Sequence, residues 1–255
     1  PGDIAERHCV DVQGRWPQGQ PSEQMVVVHR EGMNPSALTA LMARLAKEKR
    51  WKEALSAFET GMRINNIELD VINHNAVLNA CAKGGQWEEV LCMLTKMRYN
   101  MNSDVIGYNS AISACSKGEH WKEALGILGE MRYRILEPDV ISYNIAISTC
   151  AKSKQWEWAG QLLEKMQQHD LVPDVLSYSS SISACEKGRQ WQKALEVLVE
   201  TQALGLEPNV ISYNAVISAC ETGEQWAKAL TLLADMRLRN MTPDVISYNA
   251  AISAC

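Results

Sequence analysis

The chain has 255 residues, of which 46% are hydrophobic and 22% charged, the balance of an ordinary folded globular protein. Its formal net charge of −5 argues against indiscriminate attraction to nucleic acid, while leaving room for a local basic stripe. No apolar run approaches the ~18 residues that a bilayer span needs, and no Cys/His group stands at zinc-binding spacing.

Residues 1–34 hold Gly14, Pro17, Gly19 and Pro21 in a polar setting and show no period. They read as a linker or a degenerate N-terminal segment, with Met25 to Val28 as its short apolar run. The chain starts at Pro1 without a Met and stops at Cys255 partway through a unit, as expected for a fragment.

Between Asp70 and Cys255 the chain repeats itself every 34 or 35 residues, and a weaker unit precedes it from residue 35. Trp51, Trp87, Trp121, Trp156, Trp191 and Trp226 mark the period, and Cys81, Cys115, Cys150, Cys185, Cys220 and Cys255 follow it in phase. So do His74, Tyr108, Tyr143, Tyr178, Tyr213 and Tyr248. A period of this size signals stacked supersecondary units that touch only their neighbours. The units are 35–70, 71–104, 105–139, 140–174, 175–209 and 210–244, with a partial unit at 245–255. Lys47, Trp51 and the apolar stripe Leu38, Leu41, Met42 and Leu45 fix the phase of the first; a phase two residues later would instead align Pro35 with the other prolines.

In the unit 210–244, Pro208 and Asn209 open the segment and Pro243 and Asp244 close it. Proline stops a helix, and Asp or Asn beside it caps the next one. A first helix is predicted over about Val210–Ala219, ending near Gly223, with Tyr213, Val216, Ile217 and Cys220 on one apolar stripe. A second helix carries Trp226, Ala229, Leu230, Leu233 and Met236 at helical spacing. Two such helices bury their faces only by stacking on neighbours, so the predicted fold is all-α, a right-handed α-solenoid of antiparallel helical hairpins. The in-phase cysteines read as small buried apolar groups. Packed helices stand roughly 8–10 Å apart, too far for a disulfide. The tryptophans read as packing residues, not as platforms for stacked bases.

At about 100° per residue, the face opposite the stripe takes the second, fifth, ninth and thirteenth places of each unit. The second place is Ile72, Ile106, Ile141, Leu176, Ile211 and Ile246. The fifth is Thr39, Asn75, Asn109, Asn144, Ser179, Asn214 and Asn249; the ninth is mostly Ser. The thirteenth is Lys47, Lys83, Lys117, Lys152 and Lys187, then Thr222. Asn is a poor helix former, so its return inside a helix calls for a reason. Local hydrogen bonding near the helix start is one; a ligand on the shared face is another.

The stretch DVISYNAAISAC, the KGxxW turn and the closing PD resemble the pentatricopeptide repeat family over residues 35–255. That resemblance implies one single-stranded RNA base per unit, read by the fifth residue together with the last residue of the unit. It implies that the second-place aliphatic residue packs against the base and that the lysine lies near phosphate. Carried onto this sequence, the pairs are Thr39 with Asp70, Asn75 with Asp104, Asn109 with Asp139, Asn144 with Asp174, Ser179 with Asn209 and Asn214 with Asp244. The family's rule then gives 5′-GUUUAU-3′, with Asn249 lacking its partner. The closing Asp residues equally suit plain helix capping. The RNA reading expects Asn109, Asn144 and Asn214 to face a shared groove and not to lie buried between helices.

The resemblance also implies work on mitochondrial or chloroplast transcripts, such as processing, stability or translation, without a cofactor or catalysis. His29, His120 and His169 show no spacing for catalysis or metal, and no nucleophile–base set or phosphate-cradling loop is present. The alternative is a protein-binding scaffold, since helical solenoids also hold peptides in their grooves.

Overall fold

The computed structural model describes residues 35–64, 70–100 and 104–255; the segment expected to be a linker lies outside the described residues. Two compact units divide the chain, Pro1–Pro138 and Asp139–Cys255. In the first, the helices are α1 (Pro35–Lys47), α2 (Trp51–Ile64), α3 (Val71–Gly84), α4 (Trp87–Asn100), α5 (Val105–Lys117) and α6 (Trp121–Tyr133). The second holds α7 (Val140–Lys152), α8 (Trp156–Gln168), α9 (Val175–Lys187) and α10 (Trp191–Ala203), then α11 (Val210–Thr222), α12 (Trp226–Leu238) and α13 (Val245–Ser253). No strand occurs among the described residues.

Each first helix begins where the sequence places it. Asp70, Asp104, Asp139, Asp174, Asn209 and Asp244 are its N-caps, in extended backbone, accepting from the backbone N–H three residues on. Asn73, Ser142, Ser177 and Ser247 answer with a side-chain oxygen on the cap's own N–H, which satisfies a second orphan donor. The helix runs past the expected Ala219 to Thr222. Left-handed residues then reverse the chain: Glu119, Lys154, Arg189 and Glu224, with φ between 54° and 60°. The next residue donates back to the Cys carbonyl, as in Gln190 to Cys185 at 2.8 Å, closing the helix end.

Within the first unit α1 packs on α3 and α3 on α5; within the second, α7, α9, α11 and α13 form the same kind of row. The second helices α2, α4, α8, α10 and α12 each pack on their own first helix and on the next one. A first helix is therefore enclosed on several sides, which one apolar stripe does not convey. In α11 the expected Tyr213, Val216, Ile217 and Cys220 are fully buried, and Ser212 and Ala219 join them.

The buried phenols find polar partners. Tyr178 donates to Glu200 at 3.1 Å and accepts from Gln167, while Tyr213 donates to Asp235 and accepts from Gln202. Five cysteines of the repeat, Cys81, Cys115, Cys150, Cys185 and Cys220, are free and buried, as expected. On the second helix of 210–244 the expected stripe is only partly met. Ala229 and Met236 are buried together with Leu232, whereas Trp226 and Leu230 are exposed.

The glycine of the KGxxW turn has a packing cause. A Cβ on Gly188 would stand 2.5 Å from Trp156 Cδ1, and on Gly223 2.2 Å from Trp191 Cδ1. Trp51, Trp156 and Trp191 each fill such a notch at the end of the next first helix and are half-buried, as packing residues are.

Candidate nucleic-acid interface

All six aliphatic residues of the second place stand out from their helices. Ile72, Ile106, Ile141, Leu176, Ile211 and Ile246 are each between 58% and 69% exposed. Isolated exposed aliphatics are ordinary, but here the same place of the repeat is left bare six times. At the far end of the same helices, Lys47, Lys83, Lys117, Lys152 and Lys187 are also exposed. Lys117 Nζ donates to the Lys83 carbonyl at 2.8 Å, tying two successive first helices.

The fifth place departs from the expectation of an open amide. Asn144, Ser179 and Asn214 are only 7–9% exposed, Thr39, Asn75 and Asn109 are half-buried, and Asn249 is exposed. The reason is the row of first helices, whose seam passes over this place. At that seam the side chains are already paired. Asn75 Nδ2 donates to both oxygens of Asp104 at 2.9 and 3.0 Å, and Asn214 Nδ2 to both oxygens of Asp244 at 3.0 and 3.2 Å. Asn144 makes the same pair with Asp174, at 3.2 and 3.3 Å. The fifth residue and the closing residue thus meet in space as one hydrogen-bonded group in these three units.

A third contributor went unnoticed in the sequence. Ser177 Oγ donates to Asn144 Oδ1, and Ser247 Oγ to Asn214 Oδ1. In the first unit of the array, Asn73 Nδ2 donates to Thr39 Oγ1. In these three places the third residue of one unit contacts the fifth residue of the unit before it. A small or amide residue recurs at that place (Asn73, Gly107, Ser142, Ser177, Ser212, Ser247), which was the signal available.

The closing residues carry the exposed polar edge: Asp174, Asn209 and Asp244 are exposed. Desolvation works against the Asp174 carboxylate, but hydrogen bonds from Ser177 and Asn144 outweigh it and hold its pKa below the usual range. At Asp244 the backbone N–H of Ser247 leads the same downward shift. The Ser179–Asn209 step differs. Ser179 Oγ donates to the Leu176 carbonyl, and Asn209 Oδ1 accepts from Ser212, so no hydrogen bond joins the two residues. Among the described residues, no group of three or more His, Cys, Asp or Glu is placed to hold a metal ion.

Three sequence profiles match parts of the array. One described as PPR repeat family matches residues 103–152 and 208–255, the pentatricopeptide repeat domain matches 161–223, and the PPR repeat matches 72–100 and 141–171. Together they account for more than two thirds of the chain. The chain belongs to the pentatricopeptide repeat family. No curated protein matches it in sequence. Among solved structures it is similar to the pentatricopeptide repeat protein PPR10 from maize, with a TM-score of 0.68 at 23% identity over 90% of this chain and 33% of that one. PPR10 in complex with an 18-nt psaJ RNA element gives 0.71 at 21% identity, covering 99% of this chain and 35% of the other. The PPR domain of Arabidopsis thaliana protein-only RNase P 1, in complex with tRNA, gives 0.61 at 16% identity over 69% of this chain and 94% of that one. At these identities the likeness establishes the fold, a solenoid of helical hairpins. This pentatricopeptide repeat chain spans about a third of the length of the PPR10 structures.

Proposed function

We propose that the chain binds single-stranded RNA, one base per unit, and prefers 5′-GUUUAU-3′. The observation that carries this reading is the coincidence, in the units of Asn75, Asn144 and Asn214, of the bare second-place aliphatic with the paired fifth and closing residues near the start of the first helix. An aliphatic side chain covers a base face, and the polar pair meets its edge. An Asn amide held by an Asp carboxylate offers a donor beside acceptors, which suits uracil's carbonyl and ring N–H. At the Ser179–Asn209 step the amide nitrogen of Asn209 remains a donor for adenine's ring nitrogen, and the Ser179 lone pairs remain acceptors for its amino group. RNA read by two or three side chains per helical repeat is an established mode, and PPR10 and the Arabidopsis PPR domain were solved with RNA.

Because Asn144 and Asn214 lie at a seam, the base meets the rim of each pair, where the closing carboxylate is exposed, and not an open amide. Family membership supports an organellar transcript, mitochondrial or chloroplast, as the target. Exchanging the polar pair at one step and measuring base preference at the matching RNA position tests the assignment.

One observation favours a second reading. The closed Asn–Asp–Ser contacts also serve as inter-hairpin ties, which would leave the exposed aliphatic row to a polypeptide. Capture of peptides in the absence of any shift of U-rich oligonucleotides at low salt would favour that scaffold.

A further inference from the structure

We infer that the third residue of each unit is a positioning residue for base selection at the preceding step, and that Gly107 leaves the Asn75 step loosely set. This rests on the RNA reading above. An Asn amide can present either its nitrogen or its oxygen toward the groove by a half-turn about its last bond. In the units of Asn144 and Asn214, two contacts hold the amide: the closing Asp accepts from Nδ2 and so chooses between these states, and Ser177 or Ser247 donates a hydrogen bond to Oδ1. A flipped amide would set oxygen against carboxylate and lose the Asp contact; the hydroxyl, which accepts as well as donates and also reaches the Asp carboxylate, restrains the amide's position and not its sense.

At Asn75 the second contact is missing. Its Oδ1 is buried and has no hydrogen-bond partner, while Nδ2 still holds Asp104. The residue standing where Ser177 and Ser247 stand is Gly107, and a Cβ built there would lie 2.8 Å from that same Oδ1. The oxygen therefore points at the place from which a serine hydroxyl would reach it, and it ends a side chain free to shift by a few tenths of an ångström. A fixed amide favours uracil, which offers a carbonyl acceptor, over cytosine, which offers an amino donor at the same edge. Held by one contact instead of two, the Asn75 amide can move away from cytosine's amino group more readily, so this step tolerates cytidine better than the Asn144 step.

The test is equilibrium binding of the whole chain to 5′-GUUUAU-3′ and to versions with cytidine at the second or the fourth position. The cytidine penalty should be about 3- to 10-fold smaller at the second position, the scale of one hydrogen bond. Gly107→Ser should raise it there without altering the fourth position. Ser177→Ala should lower it at the fourth position alone, and Ser177→Thr should restore it. A change confined to helix capping would alter unfolding but not the penalty at one position. Equal penalties that none of the variants moves would overturn the inference and leave the RNA reading standing. Failure of every oligonucleotide to bind at low salt would overturn the RNA reading, and the inference with it.

Discussion

Trp191 Cδ1 occupies the space a side chain on Gly223 would need, 2.2 Å from where its Cβ would sit. The two residues lie in successive hairpins, and the notch they form recurs between Trp156 and Gly188 and between Trp51 and Gly84. The glycine is kept for room, since the left-handed residue is the next one, Arg189 or Glu224.

Gly188→Ala should therefore destabilise the array by roughly 1–3 kcal/mol through overpacking. Gly160→Ala, whose Cβ meets nothing within 4 Å, should stabilise by up to about 1 kcal/mol through helix propensity. Denaturant midpoints of the two variants against the parent chain check the contrast, and a neutral Gly188→Ala would remove the packing explanation.

Base preference at the fifth RNA position should follow the pair Ser179 and Asn209. Replacing them with Asn and Asp is expected to exchange adenosine for uridine there, read by competition between the two oligonucleotides. An unaltered preference for adenosine would refute the assignment.

Ile211→Ala removes a side chain that is 69% exposed and belongs to no packed core. Stability should stay within about 0.5 kcal/mol of the parent, while affinity for the RNA falls several-fold. Loss of stability without loss of binding would show that this aliphatic row serves the fold.

Five lysines at the thirteenth place should give a slope of log K against log salt of roughly −3.5, at about −0.7 per phosphate contact. A slope near zero in a titration from low to moderate salt would contradict phosphate contact at these positions.

Stability should be level near neutrality and fall at both extremes of pH. Asp174 and Asp244 are held below the usual carboxylate range, so they contribute above the unfolded value of about 4 and lose that contribution as pH drops through their lower folded values. Burial, then the carboxylates of Glu200 and Asp235, push Tyr178 and Tyr213 up to about 12. Their contribution is complete below about 10 and disappears as pH rises through about 12. Burial likewise pushes the Cys81, Cys115 and Cys150 thiols up to about 12. These three should resist alkylation at pH ~8 until the chain is unfolded, as mass spectrometry of modified peptides would report.

Much of this was legible in the sequence because the repeat turns one pattern into many trials. Pro–Asp or Pro–Asn pairs marked the first-helix starts at 140, 175, 210 and 245, and Tyr213, Val216, Ile217 and Cys220 gave one buried face. Burial of Asn144 and Asn214 was not legible, because a helical wheel treats each helix alone. Here the place opposite the apolar stripe is covered by the neighbouring first helix. The part played by Ser177 and Gly107 was hidden for the same reason: it exists only between hairpins.

The unlinked Ser179 and Asn209 lie between two joints that are pinned, Asn144 to Asp174 and Asn214 to Asp244. The identity of these side chains thus sets which neighbouring hairpins are tied by hydrogen bonds. Exchanging Ser179 and Asn209 for Asn and Asp, as proposed to alter base preference, is expected to add the missing tie between those two hairpins.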